Sequence, residues 1–588
     1  MGRPPPEGAG VAYVLSRIYR YREARYSTTM CTMRIIVRFV WVPTAALLLS
    51  LLSAPFAHAV MVNWKADVDG AFNDATKWST GKAPGANDDA VDNFVNHEIK
   101  STVNTKVKSF TTKGGFDLAK GTFEATNGIT SSGGFGLNGG TIKDTVVTIS
   151  GGRFSISNSD NSVLNGVTFK GIGTDILNQS GGTVTVRKGL TLQPIMRFDN
   201  GSKMAFAGSQ VFAEGALSFE GAARNAIKMT DGTDLTIGTA ASPTNLFPGK
   251  VTVIRGNAAN AVIGEKSSDP MKTNTIKVVG ELSLSGDDYT IAANRFINEG
   301  KVSVFNGQPL KLQSDEFHNK KNATFNALGS LSIATSKFTN DGTWVGGKKV
   351  EISADKFQNA GSLTVNIGDD LTVKGQKVGS ATNTGTVFVD AAGKLSFQSG
   401  YRQTAGSTKI DGNVTIERNG NKTNGIFAGG TLSGSGKVNG NVVSRGFTTI
   451  KPGDSPGILS IDGDFRQRQG LLDIEIGGTI LGSEYSQLQI SDLSRLINGD
   501  LEADLINGFV PSFGDAFVIL TASNVQGIFV NAPDTLAVNG GVFDVIYTPT
   551  SVILTNFTTA GPVPEPSTWL LLGSGLIGLV MWRRYAHA

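Results

Sequence analysis

Few residues of this chain could carry out chemistry. Between residues 60 and 561 only His97 and His318 offer an imidazole, and the one cysteine, Cys31, lies in the first tenth of the sequence. A zinc site of the HExxH type needs two neighbouring histidines, and a serine–histidine–aspartate triad would need one of these two rings. With a single cysteine we expect no disulfide framework. We therefore predict no catalytic residue, no metal site and no cofactor.

Pairs of carboxylates are the other groups that could take part in a reaction or bind a metal ion. Adjacent aspartates occur at Asp88-Asp89, Asp287-Asp288 and Asp369-Asp370. Such acids could serve a carbohydrate-active β-helix enzyme, a polysaccharide lyase or hydrolase, or could bind Ca²⁺. Paired acids beside glycine are also typical of turns, which is the role we expect here. The enzyme stays open as an alternative, and it requires acidic and basic side chains together on one outer face of adjacent turns.

The composition indicates which elements would have to position these residues. The 588 residues include 74 glycines and 19 prolines, with 39% apolar and 17% charged residues, which favours an all-β protein with many turns. The formal net charge of +4 is concentrated at the two ends, so the stretch from 60 to 561 carries about −2. A near-neutral body without a basic stripe argues against a nucleic-acid partner.

A repeat becomes visible between residues 295 and 365. The segments RFINEGKVSV, EFHNKKNATF, KFTNDGTWVG and KFQNAGSLTV align with one another. The alignment produces two columns, which are Phe296, Phe317, Phe338 and Phe357, and Asn298, Asn319, Asn340 and Asn359. A period of about 20 residues is typical of a parallel β-helix, whose turns bury their inner faces only by stacking. We expect an internal phenylalanine stack, asparagines that bond the backbone of their own turns, and about 20 turns in all.

The amino terminus contains a predicted targeting segment. Residues 33–59 begin with a positively charged region, continue through an apolar stretch and end in Ala-His-Ala, which is typical of a secretory signal peptide. Signal peptidase is expected to recognise Ala57 and Ala59, because its pockets accept small side chains. Residues 1–32 lie upstream of this segment and are predicted to be an extension of the gene model.

The segments YRQTAGST, GGTLSGSGKVNG and KPGDSPGILSIDGDF, from residue 401 onward, resemble the end of exported β-helical proteins, including autotransporter passengers. The resemblance implies a β-helix that ends in a cap. An autotransporter stays an alternative, but it also needs a C-terminal translocator of long alternating strands. The sequence after the passenger-like part instead predicts a helix, which is followed by two arginines.

The tail combines three features in fixed order. Pro564, Glu565 and Pro566 come first, an uncharged run follows, and Arg583 and Arg584 come together near the end. The prolines keep the backbone extended, so that an enzyme could bind it as a strand. The uncharged run would span about 26 Å as a helix, with the arginines on the cytoplasmic side. We therefore predict a single C-terminal transmembrane helix.

This arrangement resembles the PEP-CTERM sorting signal of Gram-negative bacteria. The resemblance implies an exosortase, a membrane protease or transpeptidase, that recognises Pro564, Glu565 and Pro566 and removes the tail. It also implies export, an inner-membrane stage, a final place in the cell envelope or extracellular matrix, and exopolysaccharide as a candidate partner. A plain membrane anchor that is never cleaved is the alternative. We expect a non-enzymatic structural or adhesive protein of the cell surface or of the biofilm matrix.

The predicted fold is an all-β, right-handed parallel β-helix, or β-solenoid, with a C-terminal β cap. An N-terminal signal peptide and a C-terminal transmembrane helix flank it. Trp64 and Trp78 are expected to act as aromatic anchors at the open end of the stack. The predicted parts are an extension at 1–32, the signal peptide at 33–59, an N-terminal β cap region at 60–113, β-helical repeats at 114–400, a passenger-like β-helix end at 401–480, a C-terminal β domain at 481–560 and the sorting signal at 563–588.

Overall fold

The computed structural model describes most of the chain after the predicted signal peptide. The described residues are 60–157, 161–171, 177–220, 223–239, 250–255, 261–286, 289–305, 310–375, 377, 379–559 and 568–585. They form an all-β solenoid of about 16 turns and one short C-terminal helix. The predicted fold class is confirmed in these respects, and the predicted signal peptide lies outside the described residues.

The first part of the solenoid uses short strands whose side chains alternate between the core and the solvent. Its strands are β1 (Met61–Asn63), β2 (Gly70–Ala71), β3 (Asp89–Asp92), β4 (Glu98–Ser101), β5 (Thr105–Val107), β6 (Ser109–Thr112), β7 (Gly115–Leu118), β8 (Thr122–Ala125), β9 (Ile129–Ser131), β10 (Phe135–Leu137), β11 (Thr141–Ile149), β12 (Phe154–Ile156), β13 (Ser162–Gly171), β14 (Leu177–Ser180), β15 (Thr183–Asp199), β16 (Lys203–Phe206), β17 (Gln210–Phe219), β18 (Ala226–Met229) and β19 (Asp234–Ile237). A 3₁₀ turn spans Ala75–Lys77. Pairing between successive turns is parallel, as in Phe116 with Phe135 and Phe135 with Phe154.

The middle part contains the repeat that is visible in the sequence. Its strands are β20 (Lys250–Arg255), β21 (Val262–Ile263), β22 (Thr275–Val278), β23 (Glu281–Leu284), β24 (Thr290–Ala292), β25 (Arg295–Asn298), β26 (Lys301–Val304), β27 (Leu310–Gln313), β28 (Glu316–Asn319), β29 (Thr324–Ala327), β30 (Ser330–Asn340), β31 (Thr343–Val345), β32 (Lys349–Asn359), β33 (Ser362–Val365), β34 (Asp370–Gly375), β35 (Ala381–Asn383), β36 (Thr386–Val389), β37 (Lys394–Phe397) and β38 (Tyr401–Gln403). Strand β33 shows the alternation, with Leu363 and Val365 buried and their neighbours half-buried.

The last part continues the parallel stack and ends in antiparallel strands. Its elements are β39 (Ser407–Ile410), β40 (Asn413–Arg418), β41 (Asn421–Lys422), β42 (Asn424–Gly434), β43 (Lys437–Asn439), β44 (Asn441–Pro452), β45 (Ile458–Asp462), β46 (Phe465–Gln467), β47 (Leu471–Ile476), β48 (Gln487–Ile490), β49 (Leu493–Leu496), β50 (Asp500–Leu505), β51 (Ala516–Thr521), β52 (Asn524–Gly527), β53 (Thr535–Val538), β54 (Gly541–Tyr547), β55 (Ser551–Thr559) and the helix α1 (Thr568–Tyr585). Strands β53, β54, β55 and β51 pair with one another in antiparallel fashion. These strands fall in the region predicted as a C-terminal β domain.

The two predicted columns lie in register. Phe317 pairs with Phe296 on one side and with Phe338 on the other, and the asparagines two positions further on pair in the same way. The phenylalanine rings stack nearly parallel, with centroids 4.7 Å apart between Phe317 and Phe338 and 4.9 Å apart between Phe338 and Phe357. All four rings are buried. The predicted internal stack is confirmed.

The asparagine column forms a hydrogen-bonded ladder that the sequence did not predict. The amide of Asn298 donates to Asn319 Oδ1 at 2.8 Å, Asn319 donates to Asn340 at 2.8 Å, and Asn340 donates to Asn359 at 2.7 Å. Asn383 receives the next bond at 2.8 Å. Asn298, Asn359 and Asn383 also bond the backbone of their own turns, as the sequence predicted. The ladder is an additional set of bonds, which forms because stacking places identical amides one strand spacing apart.

A glycine follows most of these asparagines and fits a corner that has no space for a side chain. At Gly361 an added Cβ would overlap the carbonyl oxygen of Gly342, and at Gly385 it would overlap that of Gly361. None of these three glycines requires a positive φ. The Asn-x-Gly sequence therefore allows the corners of successive turns to pack directly on one another.

The turns are fewer and longer than predicted. Ala226 pairs with Val262, and Leu471 pairs with Asp500, so the chain between these partners is much longer than one period of the repeat. Segments inserted between the strands of a turn lengthen it without changing the stacking. The solenoid therefore has about 16 turns, fewer than the sequence predicted.

Aromatic side chains close the N-terminal end of the solenoid. The rings of Trp64 and Trp78 meet edge to face with centroids 4.9 Å apart, and Phe72 packs 5.0 Å from Trp78. Trp78 is fully buried, and its Nε1 donates to the Phe72 carbonyl at 2.7 Å. This packing agrees with the predicted role of the two tryptophans as anchors.

Candidate functional site

The predicted cleavage and recognition residues lie outside the described residues. They are Ala57, Ala59, Pro564, Glu565 and Pro566. Their roles in processing stay predictions.

The helix α1 carries the described part of the tail. Its last turn contains Arg583 and Arg584, whose charges favour the negative end of the helix dipole. The side chains of residues 574–585 are exposed, and apolar residues such as Leu579 are among them. The tail therefore presents apolar and cationic groups side by side.

The predicted transmembrane helix is not found. Within the described part of the chain, no helix is both long enough and apolar enough to cross a membrane. The described helix starts at Thr568, and its part before Arg583 is about 22 Å long, whereas the hydrocarbon core of a bilayer is about 30 Å thick.

His97 is a buried structural residue near the N-terminal end. Its Nδ1 lies 2.9 Å from Asp67 Oδ1, and its Nε2 lies 3.4 Å from Asp92 Oδ2. The imidazole stacks on the Trp64 ring with centroids 5.9 Å apart. Asp92 also accepts from the Thr112 hydroxyl at 2.8 Å. These contacts join a loop to two strands and leave the ring enclosed.

His318 lies on the outer face of β28. Its Nε2 is 2.7 Å from Asp341 Oδ2 on the next turn, and its side chain is 15% exposed. Ile297, Thr339 and Gln358 occupy the equivalent sites on other turns. The contact with Asp341 accompanies a largely covered ring.

The first aspartate pair belongs to a turn and to an ion pair. Asp88 Oδ2 accepts from Gly85 N at 2.8 Å, which closes the turn. Asp89 lies 2.8 Å from Lys108 Nζ and accepts from the Ser109 hydroxyl at 2.6 Å. The hydrogen bond from Lys108, aided by that from Ser109, holds the pKa of Asp89 below its usual value. Asp88 thus acts in a turn, as predicted, whereas Asp89 belongs to strand β3 and bonds residues of the next turn.

Of the other two pairs, only Asp369-Asp370 lies among the described residues. Asp369 Oδ2 accepts from Asn366 N at 3.1 Å within a turn. Asp287 and Asp288 lie outside the described residues. The aspartate pairs whose structure is described therefore act in turns and between neighbouring strands.

A buried ionic cluster that no sequence pattern indicated joins β44 to β47. Lys451 Nζ lies 2.9 Å from Glu475 Oε1 and 3.3 Å from Asp473 Oδ2, so these two carboxylate oxygens lie within about 6 Å of each other. The Glu475 side chain is 8% exposed and that of Asp473 is 14% exposed. Among the described residues, Asp473 Oδ1 and Glu475 Oε2 have no hydrogen-bond partner. We call these three residues the lysine–carboxylate cluster.

Burial dominates the electrostatics of this cluster. It raises the pKa of Asp473 above its usual value, and Lys451 only partly opposes the rise. Asp473 and Glu475 point to the same outer face because they are alternate residues of β47. Lys451 reaches them from β44 on the preceding turn, and this pairing depends on a register that spacing in the sequence does not show.

A second ionic group lies on more exposed strands of the same region. Asp462 is 2.7 Å from Lys422 Nζ and 3.1 Å from Lys437 Nζ, and it accepts from the Ser491 hydroxyl at 3.2 Å. The hydrogen bonds from the two lysines lower its pKa to about 2. Every partner lies on a different segment, so the group joins neighbouring turns.

Comparison with known families identifies the tail. The family model of the PEP-CTERM protein-sorting motif matches residues 562–584. The match spans Pro564, Glu565 and Pro566 and includes Arg583 and Arg584. A comparison with curated proteins found no match. The chain thus combines a β-solenoid body with a PEP-CTERM sorting motif, and the motif marks it as an exported protein that is sorted by an exosortase.

Proposed function

We propose that this protein is a non-enzymatic structural or adhesive component of the bacterial cell surface or extracellular matrix. The observation that carries the proposal is the PEP-CTERM motif at residues 562–584, attached to a long solenoid. The motif determines where the protein is sorted. The solenoid provides an extended surface, and a structural or adhesive role for that surface requires no reactive centre. Exopolysaccharide of a biofilm is the proposed partner outside the cell.

Ion pairs between turns support a mechanical role for the body. Glu316 lies 3.0 Å from Arg295 Nε on the preceding turn and 3.4 Å from Lys337 Nζ on the following turn. Lys374 similarly lies 2.7 Å from Glu351. Single exposed pairs of this kind contribute about 0.5 kcal/mol or less. Their repetition along the stack favours one register.

The tail is proposed to be a temporary membrane attachment that is later removed. The C-terminal segment keeps the exported protein associated with the inner membrane until it is processed. Exosortase then acts at Pro564, Glu565 and Pro566. Signal peptidase acts earlier at the other end of the chain, after Ala59.

The test is mass spectrometry of the C-terminal peptide from cells with and without exosortase. We expect a shortened C-terminus only when exosortase is present. A Glu565→Ala variant should keep the tail in both strains, and a Thr559→Ala variant, just outside the motif, should be processed normally. A tail ending in RRYAHA in both strains would contradict sorting and would leave a permanent membrane anchor.

A second candidate function is a carbohydrate-active enzyme. The lysine–carboxylate cluster favours it, because this candidate requires acidic and basic side chains on one face of adjacent turns. The raised pKa of Asp473 is also a property of general acids. Incubation with purified polysaccharides should then release new unsaturated or reducing ends. Asp473→Asn should abolish that release, whereas Asp462→Asn, on the other ionic group, should not.

A further inference from the structure

We propose that Phe447 and the groove beside it form a binding subsite for a neutral polysaccharide built of pyranose rings. The inference rests on the proposed surface role and names the chemistry and the place of its partner. It starts from Phe447, whose side chain is 97% exposed. No other large hydrophobic side chain among the described residues is as exposed.

The exposure of Phe447 is unusual within this protein. Most phenylalanines of the described solenoid are buried to within a few per cent, and the next most exposed one is Phe513 at 66%. An isolated apolar side chain on a surface needs no explanation by itself. Phe447 differs because the surrounding backbone is fixed and a polar groove begins at its edge.

The backbone on both sides of Phe447 is held in place. Gly446 adopts a φ of +57°, and its N–H donates to Gln469 Oε1 on the next turn at 3.0 Å. On the other side, Thr448 is buried and its hydroxyl donates to the Arg445 carbonyl at 2.9 Å. Residues 441–452 form strand β44, whose pairing with β42 is interrupted at Arg445 and Gly446 and resumes at Phe447, opposite Gly429. The ring is thus displayed from a residue that is itself paired in the strand, and not from a free loop.

The groove next to Phe447 has a volume of about 580 Å³ and crosses three successive turns. Its floor is set by strand pairing, with Thr449 opposite Leu471 and Leu471 opposite Asp500. Successive turns are about 4.8 Å apart, so the groove offers groups at regular spacing along the axis. Its volume is in the range of ligand sites.

The polar lining consists of groups that bind hydroxyls. Gln469 uses its Oε1 for the Gly446 N–H, which leaves the two N–H donors of its amide available. The side chains of Thr449, Asn498 and Asp500 also line the groove and have no hydrogen bond to another described side chain or backbone group. Amides, a carboxylate and a hydroxyl in one row can both donate to and accept from a sugar.

The ligand class follows from this combination. A pyranose ring has one face of C–H groups, which packs against an aromatic ring, and a rim of hydroxyls, which pairs with amides and carboxylates. The only charged side chain that lines the groove is Asp500. A carboxylated sugar would be repelled there, so the geometry favours a neutral chain that lies along the solenoid axis.

The test is affinity electrophoresis of the full chain in native gels that contain one polysaccharide each. Hydroxyethyl cellulose, glucomannan and dextran provide neutral probes, and alginate provides an acidic one. We expect at least one neutral polymer to retard the protein and alginate to have no effect. Phe447→Ala should weaken that binding at least tenfold, Phe447→Trp should retain it, and Phe513→Ala, at another exposed phenylalanine, should bind as the parent does.

Three results would overturn the subsite. The first is that no neutral polymer retards the parent, and the second is that alginate retards it equally. The third is that Phe447→Ala moves like the parent. Because the Phe447 side chain is almost fully exposed, far-UV circular dichroism of the variants should show an unchanged fold. Tail processing is measured in the same cells by mass spectrometry, so loss of sugar binding with normal processing rejects only this inference.

Discussion

Buried amides and glycines set the local geometry of the solenoid. Each ladder asparagine is nearly inaccessible to solvent, and its amide bonds the equivalent residue of the next turn. A buried amide without such a partner would cost about 1–3 kcal/mol. The glycine two positions later then lets the corner carbonyls approach. Single residues therefore decide whether two turns can stack at all.

Substitution of the corner glycine Gly361 directly tests how closely the corners of successive turns pack. Gly361→Ala is expected to lower the free energy of unfolding by about 3 kcal/mol, because the new Cβ overlaps the Gly342 carbonyl. Urea denaturation followed by circular dichroism measures the loss. Gly514→Ala is the control, since nothing lies within 4 Å of that Cβ position and neither glycine has a positive φ. Equal midpoints for the two variants would refute the tight corner.

The lysine–carboxylate cluster predicts an unusual pH dependence. A carboxyl whose pKa is raised by folding contributes stability below its usual value of 3.8, and this contribution is lost as the pH rises through the raised value. Asp473→Asn removes the cost of burying the charge. The variant should therefore gain stability relative to the parent between about pH 3 and about pH 7.

Urea midpoints at the two pH values measure this difference. Glu502→Gln, at the exposed register partner of Asp473, is the control and should show no comparable gain. A parent that is more stable than Asp473→Asn at neutral pH would mean that Lys451 outweighs burial.

Each turn is the repeating element, and its contacts are almost entirely with its two neighbours. Asn340 pairs with Asn359, and Thr343 pairs with Ser362, so residues 341–359 constitute one repeat of the register. The stability of such stacks is approximately a sum over turns and their interfaces. The element can therefore be removed as a unit.

Deletion of 341–359 is expected to give a folded solenoid that is one turn shorter and slightly less stable. The junction places Ala360 after Asn340, which restores an Asn-x-Gly corner. Deletion of only 341–350 should prevent folding of this region, because the half-turn that remains is about half of one repeat and is too short to reach its register partners on the neighbouring turns. Circular dichroism and the hydrodynamic radius separate the two outcomes, and equal behaviour of both deletions would contradict the register.

At the scale of the whole molecule, the solenoid has two ends that must not pair with other chains. Trp64 and Trp78 cover the first turn. At the other end, β51 joins the parallel stack through Leu520 and turns to antiparallel pairing with β55. Unpaired strand edges promote association, and stacked-turn proteins need such terminal caps.

Truncation after residue 512 should therefore make the protein associate. It removes β51–β55 and leaves the edges of β48 and β49 without partners. Light scattering coupled to size exclusion should show a mass that increases with concentration. Truncation after Thr559 keeps the antiparallel strands and should remain monomeric under the same conditions. Monomers from both truncations would contradict the capping role.

Sequence patterns were sufficient to predict a residue's role where that role depends on residues close to it in the chain. The regular repeat of Phe and Asn predicted the parallel stack and the aligned columns. The tail motif was also readable, because its recognition residues and arginines lie together within 562–584. The roles of Asp88 and Asp369 as turn residues followed from local spacing in the same way.

The sequence by itself thus determined the fold class and the sorting motif, because both follow from short-range periodicity and composition. Tertiary structure alone decided which residues meet across turns. In the folded chain Lys451 contacts Glu475, Gln469 lies beside Phe447, and the column of asparagines forms a hydrogen-bonded ladder. The physical reason is that inserted segments change the length of each turn, so register fixes these contacts and sequence distance does not.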